Sequence, residues 1–377
     1  MNKPVRIFAE AIEGLALDQF YSAMKMEFAV QGALMPDAHA GYALPIGAVV
    51  ATEGVLVPSW VGYDQGCGMS ALPIPVDASA VRQNAKPIFD ALYREIPTGF
   101  SVNARSRSAS TETRLNVADL SEEGRRIAEG EGNKDWHRSR GSLGGGNHFM
   151  EIGVDESARV WAVIHSGSRG VGHGLATHYM KLASPDGRPR DGHYGLRADS
   201  PAGEAYANDL AWALAFALEN RLEMMHRIVN VMDSEIGLDA TPEWGDLINR
   251  NHNHAEIKDG LWIHRKGATQ AEAGMMGVIP GNMRDGSFIV RGKGNPDALY
   301  SSSHGAGRVL GRKDAKAKLD LGEFERVMSE AGVVACVELS TLDESPFAYK
   351  DIFAVMAQQR DLVEVLHHIR PLINVKG

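Results

Sequence analysis

The strand-like and helical runs of this chain do not alternate regularly, and that irregularity is the strongest constraint on its fold. Apolar or β-branched runs ending in polar turns occur at 45–63, 158–168, 261–267 and 286–294, with helical periodicity at 85–95, 203–233, 314–332 and 350–370. A doubly wound sheet needs the two to take turns and opens a helix with a glycine-rich phosphate loop straight after a strand. No such GxGxxG stretch is present, so that architecture is disfavoured. No internal repeat or low-complexity linker divides the 377 residues, which predicts one interwoven domain over 1–377.

The net charge of −9 excludes a wholly electrostatic, histone-like grip on nucleic acid and leaves phosphate binding to local patches. Two cysteines argue against a disulfide framework and fit a reducing cytoplasm. Cys336, in the apolar run "AGVVACVEL", reads as a buried core thiol. The N-terminus lacks the apolar stretch of a secretory signal, and the most apolar helical segment, Leu210 to Met225, meets charges too early to span a membrane. A cytoplasmic protein without a membrane partner is expected. Three polar stretches read as loops, where Arg105, Arg107, Arg138, Arg140, Arg188 and Arg190 are either solvated or in contact with phosphates.

Histidines carry the chemical signal. His148 in "GGGNHFMEI", His165 in "AVIHSGSRG", His264 in "LWIHRKG" and His304 in "SSSHGAGR" are close to glycine, several of them at the ends of predicted strands. Any one of them reads as a hydrogen-bonded structural histidine; four in matching settings point to a metal or phosphate site. Asp64 and Cys67 in "DQGCG" add a carboxylate and a thiol across a turn that lets both face one point. Ligand softness alone ranks zinc first, with manganese or cobalt second. A metal-free alternative makes Cys67 a nucleophile beside one histidine. The phrase "VIPGNMRDGSFIV" is either a plain hairpin turn or a turn whose amides, with Ser287, cradle phosphate.

Taken in order, "MPDAHAGYALPIG", "VGYDQGCGM", "GGGNHFMEI", "IHSGSRGVGH", "HRKGAT", "PGNM", "SSHGAGR" and "DESPFAYKDI", with a terminal "VKG", resemble the RtcB family of RNA ligases along nearly the whole chain. The resemblance implies a compact α+β domain, with mixed and antiparallel sheets surrounded by helices and an active-site cleft. It implies joining of an RNA 3′-phosphate or 2′,3′-cyclic phosphate end to a 5′-hydroxyl end, with GTP as co-substrate and two manganese ions. Cleaved tRNA or damaged rRNA would be the substrates, and a protein activator a further partner. By the same resemblance, Asp64, Cys67 and His148 match the ligands of one manganese and Cys67, His165 and His264 those of the other, with zinc an inhibitory competitor. His304 matches the histidine that becomes guanylylated, and the RNA end would then be activated as RNA-ppG. Nucleotide contacts would come from Asn147, His148, Phe149, Met150, Glu151, His264, Arg265, Pro280, Gly281, Asn282, Met283, Ser287, His304, Gly305, Ala306, Gly307 and Lys376. Glu151 would select guanine by accepting from its N1 and amine, and Lys376 would close the base pocket. Arg169 is a further candidate for RNA phosphate.

The chain departs from the family pattern at Asn282, commonly serine, and Gln65, commonly isoleucine, and it is short between His264 and His304. These features suggest a divergent paralogue. Two rival readings are a dimetal phosphoesterase that hydrolyses cyclic phosphate ends without sealing them, and a non-catalytic RNA-end binding module.

Overall fold

A computed structural model describes residues 3–104, 107–186 and 192–377. Its architecture is α+β, built on two larger sheets. The first runs Val5–Ile7, Ala29–His39, Ile46–Thr52, Leu261–Lys266, Asn253–Lys258. The second runs Met276–Pro280, Ser287–Gly292, Val363–Lys376, Phe149–Val154, Val160–Ser166, Gly68–Ile74, Ile248–Asn251, with Val334–Ala335 added alongside Val363–Lys376. Most of their pairings are antiparallel, as the irregular order of strands and helices along the chain requires.

Strands at the centre of the second sheet are buried on both faces, so they read as nearly continuous apolar runs such as "VWAVIHS". One face packs on Ala85–Glu95 and on the long helix Pro201–Ile236, through Ile88, Leu92, Met224, Met225 and Ile228. That helix starts on Ser200, whose hydroxyl accepts from Gly203 N–H, has proline at its first position and stops at Gly237 with φ 70°. Its 36 residues span about 54 Å, at 1.5 Å of rise each.

The middle of this helix is polar on its buried side, and that polarity organises the site. Arg221, fully buried, donates to the carbonyls of Gly66 (3.0 Å) and Ser166 (2.8 Å) and to the side chains of Asn249 (2.7 Å) and Asn251 (2.6 Å). Asn220 accepts from Gly141 N–H (2.7 Å) and donates to Gly167 O (3.0 Å). One helix therefore gathers the turn before Cys67, the end of the strand bearing His165 and the residue before His252.

Three expectations are corrected. The run 350–370 is not one helix: Ile352–Gln358 is helical, but Val363–Lys376, which opens on an alternating Val, Glu, Val pattern, is a strand paired with three others. The helix expected at 314–332 is two, Arg312–Lys318 and Leu321–Ala331, because Asp320 caps the second by accepting from Glu323 N–H. Cys336 is only partly buried, beside the edge strand Val334–Ala335. No helix among the described residues is long and apolar enough to cross a membrane.

Candidate active site and metal centre

Between Asp64 and Cys67 the chain reverses: Cys67 N–H donates to Asp64 O at 3.1 Å, and Gly66 takes φ 74°. A Cβ at Gly66 would lie 2.8 Å from Ala217 on the long helix, so only glycine lets the turn sit there. The strand Gly68–Ile74 then pairs with Val160–Ser166, which pairs with Phe149–Val154. His148 and His165 thus arrive at one end of the sheet beside Cys67.

Two donor sets share the Cys67 sulfur. Asp64, Cys67 and His148 form one and Cys67, His165 and His252 the other, with ligand atoms in each within 4.8 Å of one another. Sγ of Cys67 lies 3.1 Å from His165 Nε2 and 3.5 Å from His148 Nε2. His148 Nε2 is 3.0 Å from Asp64 Oδ2, and His165 Nε2 is 3.3 Å from His252 Nε2. The Nδ1–H of His148 donates to Leu143 O (2.9 Å) and that of His165 to Asn147 O (3.2 Å), which fixes the tautomers and leaves both Nε2 lone pairs aimed at the cluster. Converging lone pairs of this kind, with a thiol at their centre, suit a pair of cations.

Electrostatics agree. Burial and the neighbouring Asp64 carboxylate push the Cys67 thiol well up, so without a cation it keeps its proton. Burial alone would raise Asp64 as well, but the His148 imidazole outweighs it and holds the carboxyl at about 2. Burial drives His165 and His252 well below the ordinary imidazole value, keeping them neutral as metal ligation requires.

His264 is not in this cluster. It points to the other side of its strand, where Val57 N–H donates to its Nε2 at 2.9 Å and Trp60 packs edge-on. The position expected of it is taken by His252, whose own N–H donates to Cys67 O at 2.7 Å. Arg265 is likewise no nucleotide contact: fully buried, it pairs with Glu256 at 2.5 Å and donates to Ser301 Oγ at 2.8 Å. Met150 faces the helices in the apolar core, on the opposite side of its strand from Phe149 and Glu151.

A cavity of about 290 Å³ opens beside the cluster. Asn147, Phe149, Pro280, Gly281, Asn282, Met283, His304, Gly305, Ala306, Gly307 and Lys376 line it, together with His165, with Arg308 of the "HGAGR" motif, and with His39, Arg312, Tyr349 and Asn374, which individual motifs did not single out. The turn of "VIPGNMRDG" is both a hairpin, joining Met276–Pro280 to Ser287–Gly292, and a cavity wall. Asn282 donates to Asp285 Oδ2 (2.7 Å) and accepts from Arg284 and Asp285 N–H (3.0 Å each), so its amide stabilises the turn. Gln65, the other departure, is buried and donates to Tyr206 OH at 3.1 Å.

Behind Asn374 lies Glu151, which accepts from Asn374 Nδ2 (3.1 Å) and Ser287 Oγ (3.2 Å). Burial lifts its carboxyl to about 8, above what these hydrogen bonds recover. Lys376 pairs with buried Glu344 at 2.9 Å, and Arg308 and Arg312 meet the same carboxylate at 3.1 and 3.0 Å.

At the junction of cavity and cluster is His304. Its Nδ1 lies 2.6 Å from Oδ2 of fully buried Asp37, which also accepts from the backbone N–H of His304 (3.1 Å) and Gly305 (3.3 Å). Burial would raise Asp37, yet the adjacent His304 imidazole brings it below its ordinary value. The loop can pass this close only because residue 307 is glycine: with φ 73°, a Cβ there would lie 2.2 Å from Asp37 O. The His304 ring is 4.9 Å from that of His252.

Among the described residues, the loop arginines and Arg169 make contacts within the protein. Arg107 pairs with Glu95, Arg138 donates to Asn103 O (3.1 Å), Arg140 donates to Thr111 O (2.9 Å), and Arg169 donates to Gly99 O (2.8 Å) and Ser142 Oγ (2.9 Å). Arg105, Arg188 and Arg190 lie outside the described residues.

The chain thus has a mixed-sheet α+β fold in which two donor sets share one thiol, beside a histidine and a cavity. The family model described as "tRNA-splicing ligase RtcB" matches residues 19–377, and the chain belongs to that family. It is 35% identical to the RNA-splicing ligase RtcB of Escherichia coli strain K12, over 100% of this chain and 98% of that protein. It is 28% identical to the tRNA-splicing ligase RtcB of Pyrobaculum aerophilum, covering 99% and 95% of the two chains. It is also 28% identical to the RNA-splicing ligase RtcB2 of Escherichia coli strain ATCC 25922, covering 97% and 93%.

Proposed function

We propose that this protein joins RNA 3′-phosphate or 2′,3′-cyclic phosphate ends to 5′-hydroxyl ends, with GTP as co-substrate and His304 as the residue that carries GMP. The observation that carries this reading is the Asp37–His304 pair, set where the cavity meets the donor cluster. With Nδ1–H held by Asp37, Nε2 of His304 keeps its lone pair and can attack the α-phosphorus of GTP; a P–N bond forms as pyrophosphate leaves. Asp37 stabilises the charge that develops on the ring. The RNA 3′-phosphate then takes the GMP from His304 to give RNA-ppG, and attack by a 5′-hydroxyl expels GMP and leaves a phosphodiester.

The donor set suits zinc as well as manganese, and on the family resemblance we assign two manganese ions, held by Asp64, Cys67 and His148 and by Cys67, His165 and His252. When bound, the ions supply positive charge to phosphate oxygens and a thiolate form of Cys67. Cavity residues Asn147, Phe149, Asn282, Gly305 and Lys376 would surround the nucleotide, with Glu151 and Ser287 beneath it. Residues 1–377 act as one domain in this reading, since the site draws on positions from Asp37 to Lys376. Broken tRNA or rRNA are its substrates, and the free thiols of Cys67 and Cys336 fit a reducing cytoplasm.

A phosphoesterase that never sealed ends would need the donor cluster but no buried aspartate poised on His304, so the ligase reading is favoured. Incubation with α-labelled GTP and manganese tests it. Covalent label on the protein, abolished by His304→Ala, is the expected result; wild-type protein loaded with manganese that takes up no label would overturn the proposal.

A further inference from the structure

A second cavity of about 500 Å³ adjoins the one that holds His304, and the two share His39, Ile46, Arg308 and Arg312. Its lining carries the guanidinium groups of Arg308 and Arg312, the amine of Lys266, which burial pulls down to about 7, and the carboxylate of Glu13. Tyr42 forms part of its wall and is 55% exposed.

Several features hold Tyr42 in place. Lys266 is buried and donates to the carbonyls of Tyr42, Leu44 (2.9 Å) and Ser59 (3.2 Å), so all three of its N–H groups brace the loop against the helix Pro58–Val61. Burial pulls Lys266 down to about 7, and a buried amine must find hydrogen-bond partners, which the loop and the helix supply. The next residue, Ala43, has φ 53°, a left-handed conformation that costs a non-glycine residue on the order of 1 kcal/mol and persists where surroundings enforce it. The Tyr42 ring is edge-on to Tyr63 at 6.2 Å, and Tyr63 in turn stacks on His173 at 5.0 Å, immediately before the metal-site residue Asp64. An exposed aromatic side chain is thus braced from below and from the side, in the cavity that adjoins the one lined by His304.

We propose that this second cavity seats the terminal nucleotide of an RNA strand being joined, with its base stacked on Tyr42 and its phosphate beside Arg308 and Arg312. The inference rests on the ligase reading. On that reading the first cavity receives GMP, whereas sealing also needs an RNA end at His304 after GMP has arrived; the adjoining space meets that need. Stacking on a rigid aromatic platform binds any base, which suits an enzyme that must accept breaks in varied sequence. Arg312, whose side chain is 45% exposed, can reach a phosphate while keeping its contact with Asp343.

Short single-stranded RNAs with 2-aminopurine either at the 3′-phosphate terminal nucleotide or at the 5′-hydroxyl terminal nucleotide test the proposal, because the probe's fluorescence is quenched on stacking. Wild-type protein should quench at least one of the two, and the arm that responds identifies the strand. Tyr42→Ala should remove the quenching and weaken binding of that RNA about tenfold, the loss of one base–aromatic stack. Tyr42→Phe, which keeps the ring, should restore both. Equal quenching and affinity in wild type and Tyr42→Ala would overturn the assignment, as would quenching by neither terminal probe. Label transfer from GTP to His304, measured on the same wild-type preparation, separates the two claims. Its absence would count against the ligase reading, while Tyr42-dependent quenching would still establish the RNA site.

Discussion

Oδ2 of Asp37 lies 2.6 Å from Nδ1 of His304, in a pocket where Asp37 is wholly shielded from water and its other oxygen, Oδ1, has no hydrogen-bond partner. The pair fixes which ring nitrogen faces the cavity. Asp37→Ala should therefore slow GMP transfer to His304 by about 100-fold or more, the scale of a lost orienting and charge-stabilising group. Single-turnover labelling with GTP measures this, and manganese affinity should be unchanged. A wild-type rate in the variant would remove Asp37 from the mechanism.

His252 and His264 should separate cleanly in metal binding. His252→Ala removes one donor of the second set, so one manganese should be lost or bound about 100-fold more weakly. His264→Ala should keep both ions but lose about 1–3 kcal/mol of stability, because Val57 N–H is left without its buried acceptor. Equilibrium dialysis and denaturant unfolding read the two effects. If His264→Ala alone lost a metal, the donor assignment would be wrong.

Arg221 reaches no ligand atom directly, yet it ties together the backbone around Cys67, His165 and His252. Arg221→Met removes the donor from the buried carbonyls of Gly66 and Ser166 and from the half-buried side chains of Asn249 and Asn251. Stability should fall by roughly 3 kcal/mol or more, and manganese affinity should fall with it. Thermal unfolding with and without the ion would show both; loss of stability with unchanged affinity would confine Arg221 to the core.

Glu151 carries a testable pH dependence. Its carboxyl is raised by burial from 4.5 to about 8 in the nucleotide-free protein, so the folded state holds a proton that the unfolded chain releases. The stability it contributes is complete below pH 4.5 and is lost as pH rises towards about 8. Guanine, which offers N–H donors, favours the carboxylate, so nucleotide binding near neutrality should release a proton and tighten as pH rises towards 8. Calorimetry in buffers of different ionisation enthalpy detects that proton. Glu151→Gln should abolish the release and weaken preference for guanine over adenine nucleotides.

Much of the local structure was legible in the amino-acid order. The helical period at 85–95 is the helix Ala85–Glu95, and that at 203–233 lies within Pro201–Ile236. Motif order was enough to identify the family, and glycine-flanked turns marked Asp64, Cys67, His148, His165 and His304 as chemically important, all five of which converge. These readings succeed because period, turn chemistry and residue type are properties of neighbours in sequence.

What tertiary structure alone decided is which side chains meet. His252 stands between two strands and His264 within one, and nothing within either motif says which faces Cys67. The pairing of Leu261–Lys266 with its neighbours turns His264 towards Val57 and Trp60, while the Cys67 carbonyl and Arg221 hold the segment of His252 against the cluster. Asp37 and Glu344, far apart in the chain, acquire their roles only when buried beside His304 and Lys376. Strand parity and burial set these contacts, and both depend on partners that lie many residues away.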